Sequence, residues 1–275
     1  MADSLMKMLG NSISSDFTTT AHKNKYPAIN PSRPELSQVG KTVLITGGST
    51  GIGYAIAQAF IKAGAATVII VARRVDVVTE ASLSLQDEVS RSGSGTHIIV
   101  QACDLSDAEM VDALWDDLKD KGVTVDVLVL NAAKFTDTKP LLDLGAEEIW
   151  SQFEANVKGP IYMTDRFDKQ NDGSQKFLVN LTSANMHTCH SDYAQATAIR
   201  PAYALTKASG SLFAQLVAKD VSPDKMQVIS FHPGMIHTPG WEAFGVTKDM
   251  LPFDEREFWP YDKYSKDILV IFNPD

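Results

Sequence analysis

A tyrosine and a lysine four residues apart, Tyr203 and Lys207, stand in the run Tyr-Ala-Leu-Thr-Lys. At positions i and i+4 of a helix the phenol and the ammonium share one face. A phenol with a pKa of about 10 is a poor acid–base catalyst at neutral pH. An ammonium a few ångströms away favours the phenolate by up to roughly 4 kcal/mol at an effective dielectric of about 20. That is about three pKa units at most, enough to bring the phenol close to a working range. Ser183 supplies a hydroxyl that can hydrogen-bond a carbonyl oxygen and stabilise charge developing there. The chemistry that this set predicts is proton transfer at an oxygen.

A second group of residues suits an anion. Thr46-Gly47-Gly48-Ser49-Thr50-Gly51-Ile52-Gly53 follows the apolar run Val43-Leu44-Ile45 and opens a helical pattern at Ile52, Ile56, Ala59, Phe60 and Ala63. Strand, glycine-rich turn and helix present free backbone N–H groups and a positive helix end to a phosphate. Glycines let the backbone approach the pyrophosphate and accept positive φ. The turn lacks the Gly-Lys-Ser/Thr ending of a P-loop, which sets aside an NTPase.

The elements that must position these residues alternate along the chain. Strands are expected at 67–71, 96–102, 123–130, 176–181 and 227–231, with helices at 76–89, 147–168 and 201–219. Another helix, with an apolar stripe at Val111, Leu114, Trp115 and Leu118, begins at the capping-box spacing Ser106 to Glu109. Alternation of this kind means a parallel sheet covered on both faces, with ligands at the carboxyl ends of the strands. Those ends carry the glycine turn, Arg73-Arg74, Asp104, Asn131-Ala132-Ala133, Thr182-Ser183 and Pro233-Gly234. The expected fold is a single α/β domain, a doubly wound, Rossmann-like sheet over 39–252. An extended N-terminal arm, 1–38, precedes it, and a divergent or truncated segment, 253–275, follows.

The chain has 275 residues, 44% of them hydrophobic and 21% charged, and a formal net charge of −9. Such a charge argues against nucleic acid or an anionic membrane as partner, while leaving room for an anionic cofactor held by a few local cations. No apolar run reaches membrane-spanning length, and residues 1–10 lack the long apolar core of a secretory signal. Two cysteines, Cys103 and Cys189, cannot build a disulfide framework and fit a reducing, cytoplasmic compartment. His187, Cys189 and His190 lack a fourth ligand at useful spacing, so no metal is expected.

Taken in order, these motifs resemble the classical short-chain dehydrogenases/reductases over about residues 40–240. The family's T-G-x-x-x-G-x-G is matched by Thr46, Gly47, Gly51 and Gly53, and its Asp after the third strand by Asp104. Asn156 matches the Asn of the long central helix, and Ser183, Tyr203 and Lys207 match the Ser and Y-x-x-x-K. Pro233, Gly234 and Thr238 match the P-G turn and its threonine. The resemblance implies that Tyr203 is the general acid for a carbonyl oxygen and that Ser183 polarises that carbonyl. Lys207 would hold the nicotinamide ribose and lower the tyrosine pKa, and Asn156 would position a water of a proton relay. Asp104 would meet the adenine, Asn131 and Ala132 the cofactor cleft, and Thr238 the nicotinamide side. Ser49 and Ile52 join the turn's cofactor-binding residues. Dimers and tetramers are common in similar proteins, so a homodimer or homotetramer is implied.

The end of the second strand points to the dinucleotide. An NAD-binding member would place an acid there, facing the ribose hydroxyls; this chain has Ala72 followed by Arg73 and Arg74. A guanidinium binds a 2′-phosphate that an acid would repel, so NADP(H) is expected over NAD(H), with Arg73 the better candidate. The reading is an oxidoreductase for a small carbonyl or secondary alcohol; the alternative is a nucleotide-binding protein without turnover. Departures from the family pattern are Ala133 in place of a glycine, an inserted loop at 185–199 between Ser183 and Tyr203, and a C-terminus without the usual last elements. Residues 241–244 form an amphipathic segment, a candidate lid or, equally, a candidate interface.

Overall fold

Each strand is a short apolar run with little alternation, the pattern of a sheet buried on both faces. A computed structural model describes residues 27–136, 139–170, 173–183, 200–233, 236 and 238–242. Its strands are β1 (Thr42–Thr46), β2 (Thr67–Ala72), β3 (His97–Ala102), β4 (Val127–Leu130), β5 (Lys176–Leu181) and β6 (Met226–Phe231). They form one sheet in the order β3-β2-β1-β4-β5-β6, every neighbouring pair parallel. This is the doubly wound Rossmann order, and the direction of winding switches between β1 and β4.

The α-helices among the described residues are α1 (Gly51–Lys62), α2 (Val75–Ser92), α3 (Ala108–Asp120), α4 (Leu141–Leu144), α5 (Ala146–Phe153), α6 (Gly159–Asp168), α7 (Pro201–Asp220) and α8 (Pro239–Glu242). Successive strand residues serve opposite faces. Val43 and Ile45 of β1 pack with Ile56 and Phe60 of α1 and Leu85 of α2. Leu44 between them packs with Leu114 and Trp115 of α3 and Phe167 of α6. No helix among the described residues is long and apolar enough to cross a membrane.

Several details differ from the sequence expectation. Asp107, not Ser106, caps α3, accepting the N–H groups of Glu109 and Met110. Ser106 is engaged by Asp104 instead. The strand expected from 123 begins only at Val127, because the side chain of Gln170 takes both backbone groups of Val125. The single helix expected over 147–168 is α5, a π-helical turn at Glu154–Lys158, and α6.

The expected arm is not loose throughout. At residues 27–38 it forms 3-10 turns at Pro27–Ile29 and Pro34–Leu36, with Ile29, Leu36 and Gln38 buried. Residues 1–26, the inserted loop with His187, Cys189 and His190, Gly234, the 243–244 end of the candidate lid and the tail at 253–275 lie outside the described residues.

Candidate active site

The two central strands end in a polar staple. Thr46 is buried; its hydroxyl donates to the Val129 carbonyl and accepts the N–H groups of Asn131 and Ala132 at 3.0 and 3.1 Å. Asn131 returns two bonds from Nδ2, to the carbonyls of Thr46 and Gly47 at 2.9 and 3.2 Å. The glycines around this staple are sterically required. A Cβ on Gly53 would lie 2.3 Å from the Gly47 carbonyl oxygen, and one on Gly47, whose φ is +65°, would lie 3.0 Å from the Ala132 Cα. The turn therefore runs bare-backboned into the start of α1, the form that cradles a phosphate.

A cleft of about 480 Å³ opens over this turn at the carboxyl ends of the strands. Gly47, Ser49, Gly51 and Ile52 line its floor, and Arg73 and Arg74 stand at the end of β2. Asp104 and Asn131 line it from β3 and β4, and Tyr203, Lys207 and Thr238 close the other end. The structure thus brings eleven of the expected site residues to one cavity. Thr46, Gly53, Asn156 and Ser183 do not line it: Thr46 staples the turn from behind, Gly53 gives it room, and Asn156 and Ser183 are buried beside it.

Asp104 carries a charge pattern suited to its place. Burial raises its pKa, but two hydrogen bonds from Ser106, with Arg73 and Lys134 nearby, outweigh that and leave the carboxyl below its ordinary value. Thr238 leans on the turn, its methyl 3.3 Å from where a Gly51 side chain would begin.

On α7, Tyr203 and Lys207 sit as the i, i+4 spacing predicts, with the Lys207 Nζ 5.8 Å from the Tyr203 ring centre. Lys207 is buried and donates to the Leu181 carbonyl at 2.6 Å, tying α7 to the end of β5. A bond between Thr182 and Ser211 adds a second tie. Burial pulls the Lys207 ammonium down to about 8. Burial also pushes the Tyr203 phenol up to about 12, with Arg200 opposing it. That direction is opposite to the one expected from the lysine alone. Desolvation of the phenolate outweighs its neighbours, because the lysine is spent on a carbonyl and is itself buried.

Two residues at this end carried no motif. Phe135 lines the cleft and meets Tyr203 edge-on, ring centres 5.9 Å apart at 75°. The Arg200 guanidinium lies 4.4 Å over the other ring, that of Phe135. Arg200 precedes the first residue of α7 with non-helical backbone, so helical spacing to Tyr203 did not mark it in the sequence. Phe135 had no signal either.

An open parallel sheet with a glycine turn at its switch point is the doubly wound, Rossmann-like architecture. The chain belongs to the short chain dehydrogenase family, whose model matches residues 41–248. A short chain dehydrogenase/reductase of Claviceps purpurea is 31% identical over 242 residues, covering 87% of this chain and 77% of that one. The AacuD short chain dehydrogenase/reductase of Aspergillus aculeatus is 29% identical over 240 residues, covering 83% and 79%. Among solved structures, L-sorbose reductase from Gluconobacter frateurii, complexed with NADPH and L-sorbose, superposes with a TM-score of 0.72 at 24% identity. It covers 87% of this chain and 92% of its own.

Proposed function

We propose that this protein is an NADP(H)-dependent oxidoreductase that interconverts a carbonyl and a secondary alcohol, with Tyr203 as general acid and base. The observation that carries the reading is that Tyr203 and Lys207 line the same cleft as the glycine turn and the arginines at the end of β2. The dinucleotide, when bound, supplies or takes up the hydride. The turn fits its pyrophosphate, since Gly47 and Gly51 line the cleft without side chains and Gly53 lets the turn close on its own backbone. Arg73 and Arg74 would hold a 2′-phosphate, and β2 itself ends on Ala72 and not on an acid that would repel one.

The chain's own residues do the rest. The Tyr203 hydroxyl gives its proton to the carbonyl oxygen in reduction, and its phenolate takes one from the alcohol in oxidation. Burial keeps the phenol protonated throughout the neutral range, the form from which it can give a proton to the carbonyl oxygen. Ser183 would donate to the same oxygen, and Lys207 would bind the ribose hydroxyls once released from the Leu181 carbonyl. Leu205, Leu212 and Leu216, exposed on one face of α7, give the expected homo-oligomer a surface.

The test is consumption of NADPH and of NADH against a ketone panel that includes L-sorbose and a planar diketone such as phenanthrenequinone. Turnover is expected with NADPH, and Tyr203→Phe is expected to abolish it while sparing NADPH binding. Undiminished turnover in that variant would refute the acid.

A further inference from the structure

Thr206 lies inside the Tyr203–Lys207 motif at a position that the motif leaves open, and its side chain is completely buried. Its hydroxyl makes two bonds of opposite sense. It donates to the Tyr203 carbonyl oxygen at 2.8 Å and accepts from Asn156 Nδ2 at 3.0 Å. A threonine hydroxyl bonding back along its own helix spends its one proton, leaving only lone pairs for a neighbour. Asn156 presents the donor that such a neighbour must be.

Asn156 is fixed from the other side as well. Its Oδ1 accepts the Lys134 N–H at 2.6 Å, and its Nδ2 donates to the Lys134 carbonyl at 2.7 Å. Both amide hydrogens and the amide oxygen are therefore engaged. A reversed amide would set its oxygen against the Lys134 carbonyl, so only one orientation satisfies the network. Lys134 lines the cleft just beyond β4, and Asn156 sits in the π-helical turn. An unbroken chain of hydrogen bonds thus runs from the cleft wall, through the π-turn, to the backbone of Tyr203.

We infer that Thr206 is a positioning residue for the reaction: it sets the turn of α7 that carries the Tyr203 phenol and the Lys207 ammonium against the cofactor side of the cleft. The inference rests on the reading of Tyr203 as the acid. A hydroxyl here does more than fill space, since valine would fill it equally well and leave the second hydrogen of the Asn156 amide buried without a partner. The catalytic consequence follows from the demands of proton transfer, where a displacement of about 1 Å can cost about 100-fold in rate.

The experiment compares Thr206→Val, Thr206→Ser and Tyr203→Phe in the full chain. The probe reaction is NADPH-dependent reduction of phenanthrenequinone, or of whichever panel ketone turns over fastest. Rates are expressed per NADPH-binding site, so that loss of folded protein is not counted as loss of catalysis. Thr206→Val is expected to lower kcat by about tenfold or more, with the Kd for NADPH unchanged within about twofold. Thr206→Ser, which keeps the hydroxyl and drops only the methyl, is expected to recover kcat to within about threefold of the parent.

A smaller fall in Thr206→Val, or a serine variant no faster than the valine one, overturns the inference. If the valine variant does not accumulate as folded protein, Thr206→Ala takes its place against the serine with the same thresholds. Tyr203→Phe separates the two possible failures. Turnover surviving in it sinks the acid assignment, whereas its loss beside a fully active Thr206→Val sinks only the role of Thr206.

Discussion

The two ends of the cleft are built by different means. At the β1–α1 end, shape is imposed by what is missing: Gly47 and Gly53 leave room that any side chain would fill with a collision against backbone. At the α7 end, shape is imposed by what is present: Lys207 reaches the Leu181 carbonyl, Thr206 ties Tyr203 to Asn156, and Phe135 braces the phenol. A steric end tolerates almost no change, and here the Thr46–Asn131 staple holds it from behind. A hydrogen-bonded end can be tuned residue by residue, and each change there acts on chemistry more than on shape.

The sharpest way to break this comparison is to substitute once at each end. Tyr203→Phe is expected to cut kcat by roughly 100- to 10,000-fold while leaving NADPH affinity nearly intact, as steady-state kinetics and calorimetry would register. Gly53→Ala is expected to do the reverse of sparing the cofactor. Its Cβ would press on the Gly47 carbonyl at 2.3 Å, so the turn must shift, with a loss of roughly 2–4 kcal/mol in stability and of most NADPH binding. Near-normal NADPH binding by Gly53→Ala would mean that the turn is not sterically fixed.

The same contrast explains how much could be read beforehand. Glycines and apolar runs are visible in a sequence because they act alone; Val43-Leu44-Ile45 followed by Thr46–Gly53 gave strand, turn and helix start together. The i, i+4 pair on α7 was equally visible. Features decided by competition between partners were not. Ser106 and Asp107 are both good caps, and the choice fell to Asp107 only because Asp104 holds Ser106. The π-turn at Glu154–Lys158 shifts hydrogen bonds without any residue type to announce it. Ile29 and Leu36, isolated apolar residues among polar ones, gave no period to mark them as buried. The direction of the Tyr203 pKa depended on burial, which spacing cannot report.

Lys207 gives the next largest effect. Its folded pKa, about 8, lies below the 10.5 of a free lysine. Between these values the unfolded chain holds a proton that the folded chain has lost, so stability rises with pH across that window. The gain is about 3 kcal/mol in all, and it is lost again as pH falls through 8. Cys103, pushed up to about 11, and Tyr203 act in the opposite sense at alkaline pH. The difference between the parent and Lys207→Met therefore isolates the lysine. Urea unfolding at several pH values is expected to show the parent losing stability relative to Lys207→Met as the pH falls from 10.5 to 8. Parallel stability curves for the two proteins would contradict the burial of the ammonium.

Arg73 sharpens the steric end by asking what charge adds to it. Replacing it with glutamine removes a cation but no backbone shape, so only the ligand's extra phosphate should notice. A charge-assisted hydrogen bond is worth about 1.5–3 kcal/mol, which predicts NADPH binding weakened by roughly 10- to 100-fold with NADH unchanged. Equal weakening of both dinucleotides would show Arg73 supporting the turn and not reading the phosphate.

Arg200 offers the smallest change, because its guanidinium lies over the Phe135 ring, which meets Tyr203 edge-on. That guanidinium is the cation that opposes burial at Tyr203, so Arg200→Met removes a charge that favours the phenolate. Oxidation of a secondary alcohol needs that phenolate and reduction needs the protonated phenol. The alkaline rise of the oxidative rate is therefore expected to move to higher pH in Arg200→Met, while the reductive rate at neutral pH stays close to the parent's. An unmoved profile would leave Arg200 as a brace for the Phe135 ring alone. A profile moved to lower pH would mean that the methionine had opened the pocket to water, since hydration of the phenolate is then the only change large enough to outweigh the lost cation.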